Sequence, residues 1–266
     1  MPSVKRPGRA AAASSQSFKY TRHQSTGIVF ASGGDGHDLA TDDVQKDGTG
    51  CHCLWPAAER LCEYLLACGD AGALRGLRIV ELGSGVGVPG MLAARLGAPS
   101  VTLTDYHPLV LRALSCSIAQ NELDHRCRVQ YLSWDDNDDA PNAPRWPLVL
   151  GADLSVSSRA AVSLAGTVRR CLARAPASVF VYAHTERRAI FRDPKTGAIR
   201  REPRDSALLT LKDALKADGL ECFEWPSVEA RGSAVSHDEP VRLFAFGRSL
   251  EQARERGLLS PMLQCQ

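Results

Sequence analysis

The sequence predicts an α/β protein built on a doubly wound, mostly parallel sheet, and three observations support this fold class. A short strand-like run, residues 78–82, leads into a glycine-rich loop and then into a helical pattern that starts near Pro89. A second strand-like run, residues 100–104, follows that helix and ends at Asp105. Residues 147–150 form an apolar run of the kind that a parallel strand buried on both faces shows.

The remaining chain continues the alternation of strands and helices. Apolar positions at helical spacing, proline at helix starts and glycine at helix ends place the helices, and β-branched or aromatic runs place the strands. The predicted helices are 55–67, 108–121, 159–173 and 207–218, and the predicted strands are 127–131, 178–183, 220–225 and 242–246.

The loop after the first strand of the sheet is the most informative segment. Residues 78–90 read RIVELGSGVGVPG. Glycine lets the backbone turn sharply and lets its N–H groups approach a nucleotide or nucleoside without a Cβ in the way. The last three glycines fit the dinucleotide fingerprint G-x-G-x-x-G, which also occurs by chance. The four glycines are Gly83, Gly85, Gly87 and Gly90.

An acidic residue follows the glycine loop at the end of the next strand. Asp105 lies about 20 positions after Gly85, where a carboxylate can accept hydrogen bonds from ribose hydroxyls. An NAD-dependent enzyme and an S-adenosylmethionine-dependent enzyme both need that carboxylate. The alternative is that these residues bind no ligand, so that the glycines form a structural turn and Asp105 is a surface residue.

Four stretches resemble one enzyme family. The glycine loop and the acidic loop resemble class I S-adenosylmethionine-dependent methyltransferases in the sequences ELGSGVGVPG and LTDYHPLVLRAL. More narrowly they resemble the family 16 protein methyltransferases, which modify lysine and sometimes other residues of proteins. The sequences LWPAAERL, LSWD and LVLGADL are similar to that family's upstream tryptophan segment, adenine-side tryptophan and fourth-strand motif. The resemblance covers about residues 18–248, and the order and spacing of the stretches make it specific.

This resemblance implies a seven-stranded, Rossmann-like class I methyltransferase sheet with one antiparallel strand, and S-adenosylmethionine as the cofactor. The cofactor would lie across residues 83–87, with Asp105 on the ribose, Trp134 and Ala152 near the adenine, and Trp55 over the methionine end. From pattern alone Trp55 reads as a core residue. The implied cofactor-binding residues are Trp55, Glu81, Gly83, Ser84, Gly85, Gly87, Asp105, Tyr106, Trp134 and Ala152.

Asp153 is the predicted catalytic residue. It ends the fourth strand, and ligands of open α/β sheets bind at the carboxyl ends of strands, so it would orient the acceptor amine or relay a proton. Members of the family commonly read Asp-x-x-Tyr here, whereas this chain has Val156 in the tyrosine position, which leaves the acceptor open. His184, at the end of the fifth strand, either contacts the acceptor or caps a loop.

Three functions therefore stay open. The first is a protein methyltransferase acting on lysine, and the second is a small-molecule N-methyltransferase. The third is a non-catalytic binding module with a methyltransferase-like fold, which the missing tyrosine at Val156 favours. A nicotinamide-dependent oxidoreductase ranks below these, because no separate substrate domain follows the glycine loop. No metal site is expected, since Cys51-His52-Cys53 and the cysteines after it do not offer four convergent ligands.

The chain divides into four parts. Residues 1–17 are predicted to be a disordered tail, although their composition also fits a transit peptide. Residues 18–50 would form a hairpin and a flexible loop, 51–248 the methyltransferase domain, and 249–266 a C-terminal tail. Within the domain, residues 187–204 read as a protruding basic hairpin, which is either a solvated surface or a docking surface for an acidic protein partner.

Composition limits the partners and the compartment. A net charge of +2 argues against a dedicated nucleic-acid binder. No apolar run approaches the ~20 residues that a membrane-spanning helix needs. Nine cysteines without a framework indicate reduced thiols inside the cell, so we expect a cytoplasmic location, with a nuclear one also open. The expected state is a monomer that acts on a protein substrate.

Overall fold

The computed structural model describes residues 18–34, 53–135, 145–193, 195–226 and 240–259. The predicted tail at 1–17, most of the predicted loop before residue 51, and the Cys51-His52 pair lie outside the described residues.

The described residues form the predicted strands and helices in the predicted order, together with a helix after residue 249 that was not predicted. The strands are β1 (Phe18–Arg22), β2 (Val29–Gly34), β3 (Arg78–Leu82), β4 (Ser100–Asp105), β5 (Cys127–Tyr131), β6 (Leu148–Ala152), β7 (Val179–Thr185), β8 (Ile190–Arg192), β9 (Ile199–Arg201), β10 (Glu221–Glu224) and β11 (Val241–Gly247). The helices are α1 (Pro56–Asp70), α2 (Val88–Arg95), α3 (Pro108–Gln120), α4 (Ser158–Cys171), α5 (Ser206–Ala217) and α6 (Leu250–Glu255).

Seven strands form the central sheet in the order β10-β11-β7-β6-β3-β4-β5. The pairs β7-β6, β6-β3, β3-β4 and β4-β5 are parallel, and β11 runs antiparallel to both of its neighbours. The sequence prediction of a mostly parallel seven-stranded sheet with one antiparallel strand is confirmed. Chain order reverses between β3 and β6, and in such sheets ligands bind at the carboxyl ends of the strands beside this reversal.

Helices cover both faces of the sheet because its central strands are apolar on both sides. Successive residues of a strand point to opposite faces, so Ile79 joins one core layer and Val80 joins the other. The first layer contains Leu61 of α1 and Met91 of α2, and the second contains Leu164 of α4 together with residues of α5. Continuous apolar strands thus explain why the sheet is buried between two layers of helices.

The predicted N-terminal hairpin is confirmed as the antiparallel pair β1-β2. It is anchored to α3 by two hydrogen bonds, from the Ala31 N–H to Ser117 Oγ (2.9 Å) and from the Val29 N–H to Asn121 Oδ1 (3.0 Å). The hairpin therefore belongs to the folded domain.

The predicted C-terminal tail is wrong for residues 249–259. Helix α6 occupies its first part, and Ala253, Leu258 and Leu259 are buried in the core. The Tyr64 hydroxyl donates a hydrogen bond to the Leu258 carbonyl at 3.1 Å. Among residues 249–259 the core contacts come from Leu250, Ala253, Leu258 and Leu259, and these few apolar side chains in a polar sequence are too weak a pattern to recognise.

The described residues lack two features that would point to other kinds of protein. No helix in the described part of the chain is long and apolar enough to cross a membrane. Within the same ranges no group of three or more His, Cys, Asp or Glu residues is arranged to hold a metal ion.

Candidate active site

Two cavities open where β3, β4, β6 and β7 end, beside the reversal of strand order. The larger has a volume of about 590 Å³ and the smaller about 300 Å³, and Gly83 lines both. Volumes of this order suit small-molecule ligands. The two cavities meet at the glycine loop, as expected for a ligand that lies across it.

The smaller cavity contains the residues predicted to hold the nucleoside. Asp105, Tyr106 and Trp134 line it together. The carboxylate of Asp105 accepts hydrogen bonds from the His107 N–H at 3.0 Å and from the Gly85 N–H at 3.3 Å. Burial raises the pKa of Asp105, and these backbone hydrogen bonds offset part of that effect. Asp105 thus fixes the glycine loop to the end of β4 while facing the cavity.

Gly83 lies between the two cavities, because it lines both of them. Its φ of +54° lies in the left-handed region, which favours glycine. A Cβ at this position would lie 2.7 Å from Leu154 Cδ2 and 3.3 Å from Trp134 Cζ2. The passage between the two cavities therefore depends on the missing side chain.

Ser84 and Gly85 line the larger cavity and are held by β4. The Ser84 N–H donates to the Thr104 carbonyl at 2.7 Å, and the Thr104 N–H donates to Ser84 Oγ at 3.0 Å. Gly87, in contrast, does not line either cavity. Its position faces Leu103 and Leu114 in the core, which indicates a packing role, and its contact with the cofactor stays a prediction.

The larger cavity combines predicted residues with residues that the sequence analysis did not assign. Trp55, Glu81, Ala152 and Asp153 line it. Ala152 was predicted near the adenine beside Trp134, but the two residues line different cavities. The unassigned residues of the wall include Thr185, Glu186, Arg187, Arg188 and Arg201.

Asp153 lines this cavity, and hydrogen bonds hold its carboxylate, which is largely buried. The N–H and the hydroxyl of Thr185 donate to its two oxygens at 2.7 Å and 2.8 Å. Arg187 Nη1 donates to Oδ1 at 3.2 Å, which pairs the aspartate with a guanidinium. The φ of Asp153 is +55°, a conformation that aspartate and asparagine tolerate better than most residues.

Glu81 is a second carboxyl group in the larger cavity, and it is almost fully buried. Burial raises its pKa to about 8, although the Gly90 N–H donates to Oε2 at 3.0 Å and opposes the shift. The neutral acid is therefore the favoured form of Glu81 near neutral pH.

This raised pKa makes the effect of Glu81 on stability depend on pH. A glutamate in the unfolded chain ionises near its ordinary pKa of 4.5, so the folded state binds one more proton between about pH 4.5 and 8. Stability then falls as pH rises through that window. We expect Glu81→Gln to raise the thermal unfolding midpoint, relative to the unmodified protein, more at pH 8.5 than at pH 5. A difference that is the same at both pH values would contradict the raised pKa, and Glu251→Gln on the surface of α6 is the control.

Tyr182 was not assigned by the sequence analysis, although it organises the loop after β6. Its hydroxyl accepts hydrogen bonds from the Leu154 N–H at 3.1 Å and the Ser155 N–H at 3.0 Å. The only signal in the sequence is a tyrosine within a buried strand, because such a hydroxyl needs a partner. Val156, in the position of the family tyrosine, is 64% exposed at the rim of the larger cavity.

His184 does not line either cavity, and it supports the site through hydrogen bonds behind the cavity wall. Its Nδ1 lies 3.0 Å from the Tyr182 hydroxyl, and its Nε2 donates to Asp205 Oδ2 at 2.8 Å. Asp205 also caps α5 by accepting from the Leu208 N–H at 2.8 Å. Burial acts to raise the pKa of Asp205, but its hydrogen bonds outweigh burial and lower it. Of the two alternatives for His184, the structural one is found.

A family model described as lysine methyltransferase matches residues 34–193, which is more than half of the chain. This chain belongs to the lysine methyltransferase family. The matched segment contains the glycine loop, Asp105, Trp134 and Asp153, so the family signature coincides with the two cavities.

Individual members of the lysine methyltransferase family are similar to parts of the chain. Protein N-lysine methyltransferase METTL21A from Danio rerio is 38% identical over 106 residues, which are 38% of this chain and 46% of that protein. EEF1A lysine methyltransferase 3 from Mus musculus is 36% identical over 118 residues, which are 44% of this chain and 48% of that protein. The chain thus spans about half the length of the curated relatives it matches.

A solved structure supports the fold. An O-methyltransferase family protein from Burkholderia thailandensis superposes with a TM-score of 0.54 and 14% identity, covering 79% of this chain and 61% of that one. At this identity the similarity concerns the fold alone.

Proposed function

We propose that this protein transfers a methyl group from S-adenosylmethionine to a lysine side chain of a protein substrate. The observation that carries the proposal is the pair of cavities that meet at Gly83, with Asp105 facing one and Asp153 facing the other. The names of the relatives, which are protein N-lysine methyltransferases, support the same reaction.

The residues around the two cavities fit S-adenosylmethionine. The smaller cavity offers a buried carboxylate, Asp105, and two aromatic rings, Tyr106 and Trp134. A ribose presents hydroxyl donors and an adenine presents a flat face, which these groups are suited to bind. Gly83 leaves open the passage into the larger cavity, where Trp55 and Glu81 would surround the methionine part.

When bound, S-adenosylmethionine supplies a methyl group that is made electrophilic by a sulfonium. The residues of this chain then have to align an uncharged acceptor nitrogen and exclude water, and a strong base is not required. Trp55, Leu154 and Val156 provide apolar walls in the larger cavity. An apolar environment lowers the pKa of a lysine amine and favours the form that has a free lone pair.

The ion pair between Asp153 and Arg187 gives this cavity a second means of favouring the neutral amine. An unpaired carboxylate would stabilise the protonated lysine, which cannot accept a methyl group. Arg187 lies 3.2 Å from Asp153 and cancels much of that negative charge. Asp153 can still accept a hydrogen bond from an acceptor amine and orient it, since a carboxylate accepts several hydrogen bonds.

Two observations favour the non-catalytic alternative. The carboxylate of Asp153 is already bound by Thr185 and Arg187, and Val156 provides no aromatic wall. A protein that binds S-adenosylhomocysteine but labels no protein with radioactive methyl groups from S-adenosylmethionine would support a binding module. Labelling of lysine in cell proteins would exclude it.

The first test of the proposal is isothermal titration with S-adenosylhomocysteine, with NAD as the comparison. We expect micromolar binding of the former and none of the latter. We expect Asp105→Ala to weaken S-adenosylhomocysteine binding by about 1–3 kcal/mol, because the ribose loses its charged acceptor.

Two controls make the Asp105 result interpretable. Asp124→Ala removes an exposed carboxylate from the turn before β5 and should leave the affinity unchanged. Thermal unfolding of Asp105→Ala must show a folded protein at the titration temperature, because Asp105 also holds Gly85 and His107. Unchanged affinity in a folded Asp105→Ala protein would remove this residue from the site.

A further inference from the structure

The hairpin formed by β8 and β9 stands at the mouth of the larger cavity. Its strands pair antiparallel, with Ile190 opposite Arg201 and Arg192 opposite Ile199. Arg188, just before β8, and Arg201, in β9, belong to the cavity wall. The hairpin is therefore continuous with the site in which the acceptor would be methylated.

One face of this hairpin extends the cavity wall outward. Directly opposed residues of an antiparallel pair lie on the same face, and so do residues two apart in one strand. Ile190, Arg192, Ile199 and Arg201 consequently share one face, which we call the cavity-side face. Phe191 and Arg200 lie on the other face.

The cavity-side face alternates apolar and positively charged side chains. Ile190 is 69% exposed and Ile199 is 79% exposed, and each has an arginine directly across the pair. Residues 187–204 contain seven basic residues and only two acidic ones. One of the two acids, Asp193, pairs at 3.3 Å with Arg200 of the other face.

We propose that the cavity-side face is the docking surface for the segment of the protein acceptor that flanks the methylated lysine, and that this segment alternates acidic and apolar residues. The inference rests on the proposed function, since it names the class of substrate for the same cavity. Carboxylates of the segment would pair with Arg192 and Arg201, while its apolar side chains would cover Ile190 and Ile199. Nucleic acid fits this face less well, because two aliphatic side chains offer bases no stacking surface.

The proposal can be tested by fluorescence anisotropy with the full chain saturated with S-adenosylhomocysteine. The probe is a labelled 13-residue peptide with a central lysine flanked by alternating Glu and Leu. Comparison peptides carry Arg in place of Glu, or Ser in place of Leu. A labelled poly-dT oligonucleotide is the nucleic-acid probe. We expect the Glu/Leu peptide to bind at least tenfold more tightly than each comparison probe, and its affinity to fall as salt is added.

Matched variants locate the binding on the hairpin. We expect Ile199→Ser and Arg192→Glu each to weaken binding of the Glu/Leu peptide at least tenfold without changing the affinity for S-adenosylhomocysteine. The controls are Val162→Ser, which alters an aliphatic residue of α4 that is 57% exposed, and Arg174→Glu, which alters an exposed arginine before β7. Both controls should bind the peptide as the unmodified protein does.

The outcomes separate this proposal from the proposed function. Equal binding of the Glu- and Arg-containing peptides, tighter binding of the oligonucleotide, or unchanged binding by both hairpin variants would each overturn the docking surface. Failure of the proposed function appears elsewhere, as a protein that binds S-adenosylhomocysteine and transfers no methyl group to protein. In that case, peptide binding that depends on the hairpin would still establish the surface, as part of a non-catalytic module.

Discussion

Replacing Gly83 with alanine is expected to weaken S-adenosylhomocysteine binding on the order of 100-fold, or about 2.7 kcal/mol. The new Cβ would lie 2.7 Å from Leu154 Cδ2 and 3.3 Å from Trp134 Cζ2, at the junction of the two cavities. Either Leu154 and Trp134 move into the space for the ligand, or the loop shifts away from it. The φ of +54° adds about 1–2 kcal/mol of backbone strain to an alanine at this position.

Gly87→Ala provides the matched comparison, because Gly87 lies in the same loop with a φ of +73°. Its new Cβ would overlap with Leu114 Cδ2 and lie 2.7 Å from Leu103 Cδ2, which are core atoms outside both cavities. Backbone strain of about 1–2 kcal/mol and overpacking of about 1–3 kcal/mol should lower the free energy of unfolding by about 2–5 kcal/mol. The folded fraction should bind S-adenosylhomocysteine nearly as well as the unmodified protein.

Urea denaturation and isothermal titration of both alanine variants distinguish the two roles. The expected pattern is a large loss of affinity for Gly83→Ala and a large loss of stability for Gly87→Ala. If Gly87→Ala kept its stability and lost the ligand, the cofactor contact predicted from the sequence would be right and the packing role wrong. If Gly83→Ala bound normally, the ligand would not cross the junction.

The parts of the site that could be predicted from the sequence are those that local chain geometry determines. A strand, a glycine loop and a helix place Gly83, Ser84 and Gly85 beside the end of the next strand, where Asp105 lies. These residues are close in sequence and their positions follow from one βαβ unit. The same reasoning could not separate Gly83 from Gly87, because both have positive φ and only tertiary packing puts Leu114 against one of them.

The parts that could not be predicted depend on contacts between distant segments. Arg187 follows β7, and nothing in its own sequence context indicates that it pairs with Asp153 at the end of β6. Tyr182 reads as an ordinary strand residue, although its hydroxyl holds the backbone of Leu154 and Ser155. Buried donors and acceptors in such a network need hydrogen-bond partners. The partners come from segments that are distant in the sequence, so only the three-dimensional structure identifies them.

Asp153 is predicted as a site residue from its place at the carboxyl end of a strand. The ion pair with Arg187 changes what its carboxylate can do chemically. A lone aspartate would stabilise the protonated form of the acceptor lysine. In the ion pair, Arg187 balances that charge, so Asp153 can orient the amine while the neutral form is less strongly disfavoured. This geometry therefore favours the predicted role in which Asp153 orients the amine by accepting its hydrogen bond over the role in which Asp153 relays a proton. It remains a hypothesis that a single isosteric substitution can test.

We expect Asp153→Asn to lower the rate of methyl transfer about 100-fold while leaving the affinity for S-adenosylhomocysteine within about twofold, because small errors in acceptor alignment cost that much. Asparagine tolerates the φ of +55° and keeps an oxygen that can accept from the Thr185 N–H. The charge is lost and Arg187 is released from its partner, so the cavity becomes more positive, which disfavours the ammonium form of the acceptor and leaves poor alignment as the cause of the slower transfer. The rate is measured by transfer of radioactive methyl groups to the protein that the unmodified chain labels in a cell lysate.

Two comparisons decide what the Asp153→Asn result means. Asp213→Asn, which changes an exposed carboxylate of α5, should methylate at the unmodified rate. Arg187→Gln should lower the rate mainly at pH values where the acceptor lysine is protonated, since the unpaired carboxylate then stabilises the ammonium. Raising the pH should restore most of the activity of Arg187→Gln and little of the activity of Asp153→Asn. Recovery of both variants at high pH would mean that Asp153→Asn is slowed by protonation of the acceptor and not by its misalignment, and the groups that align the nitrogen would then have to lie elsewhere in the wall of the larger cavity.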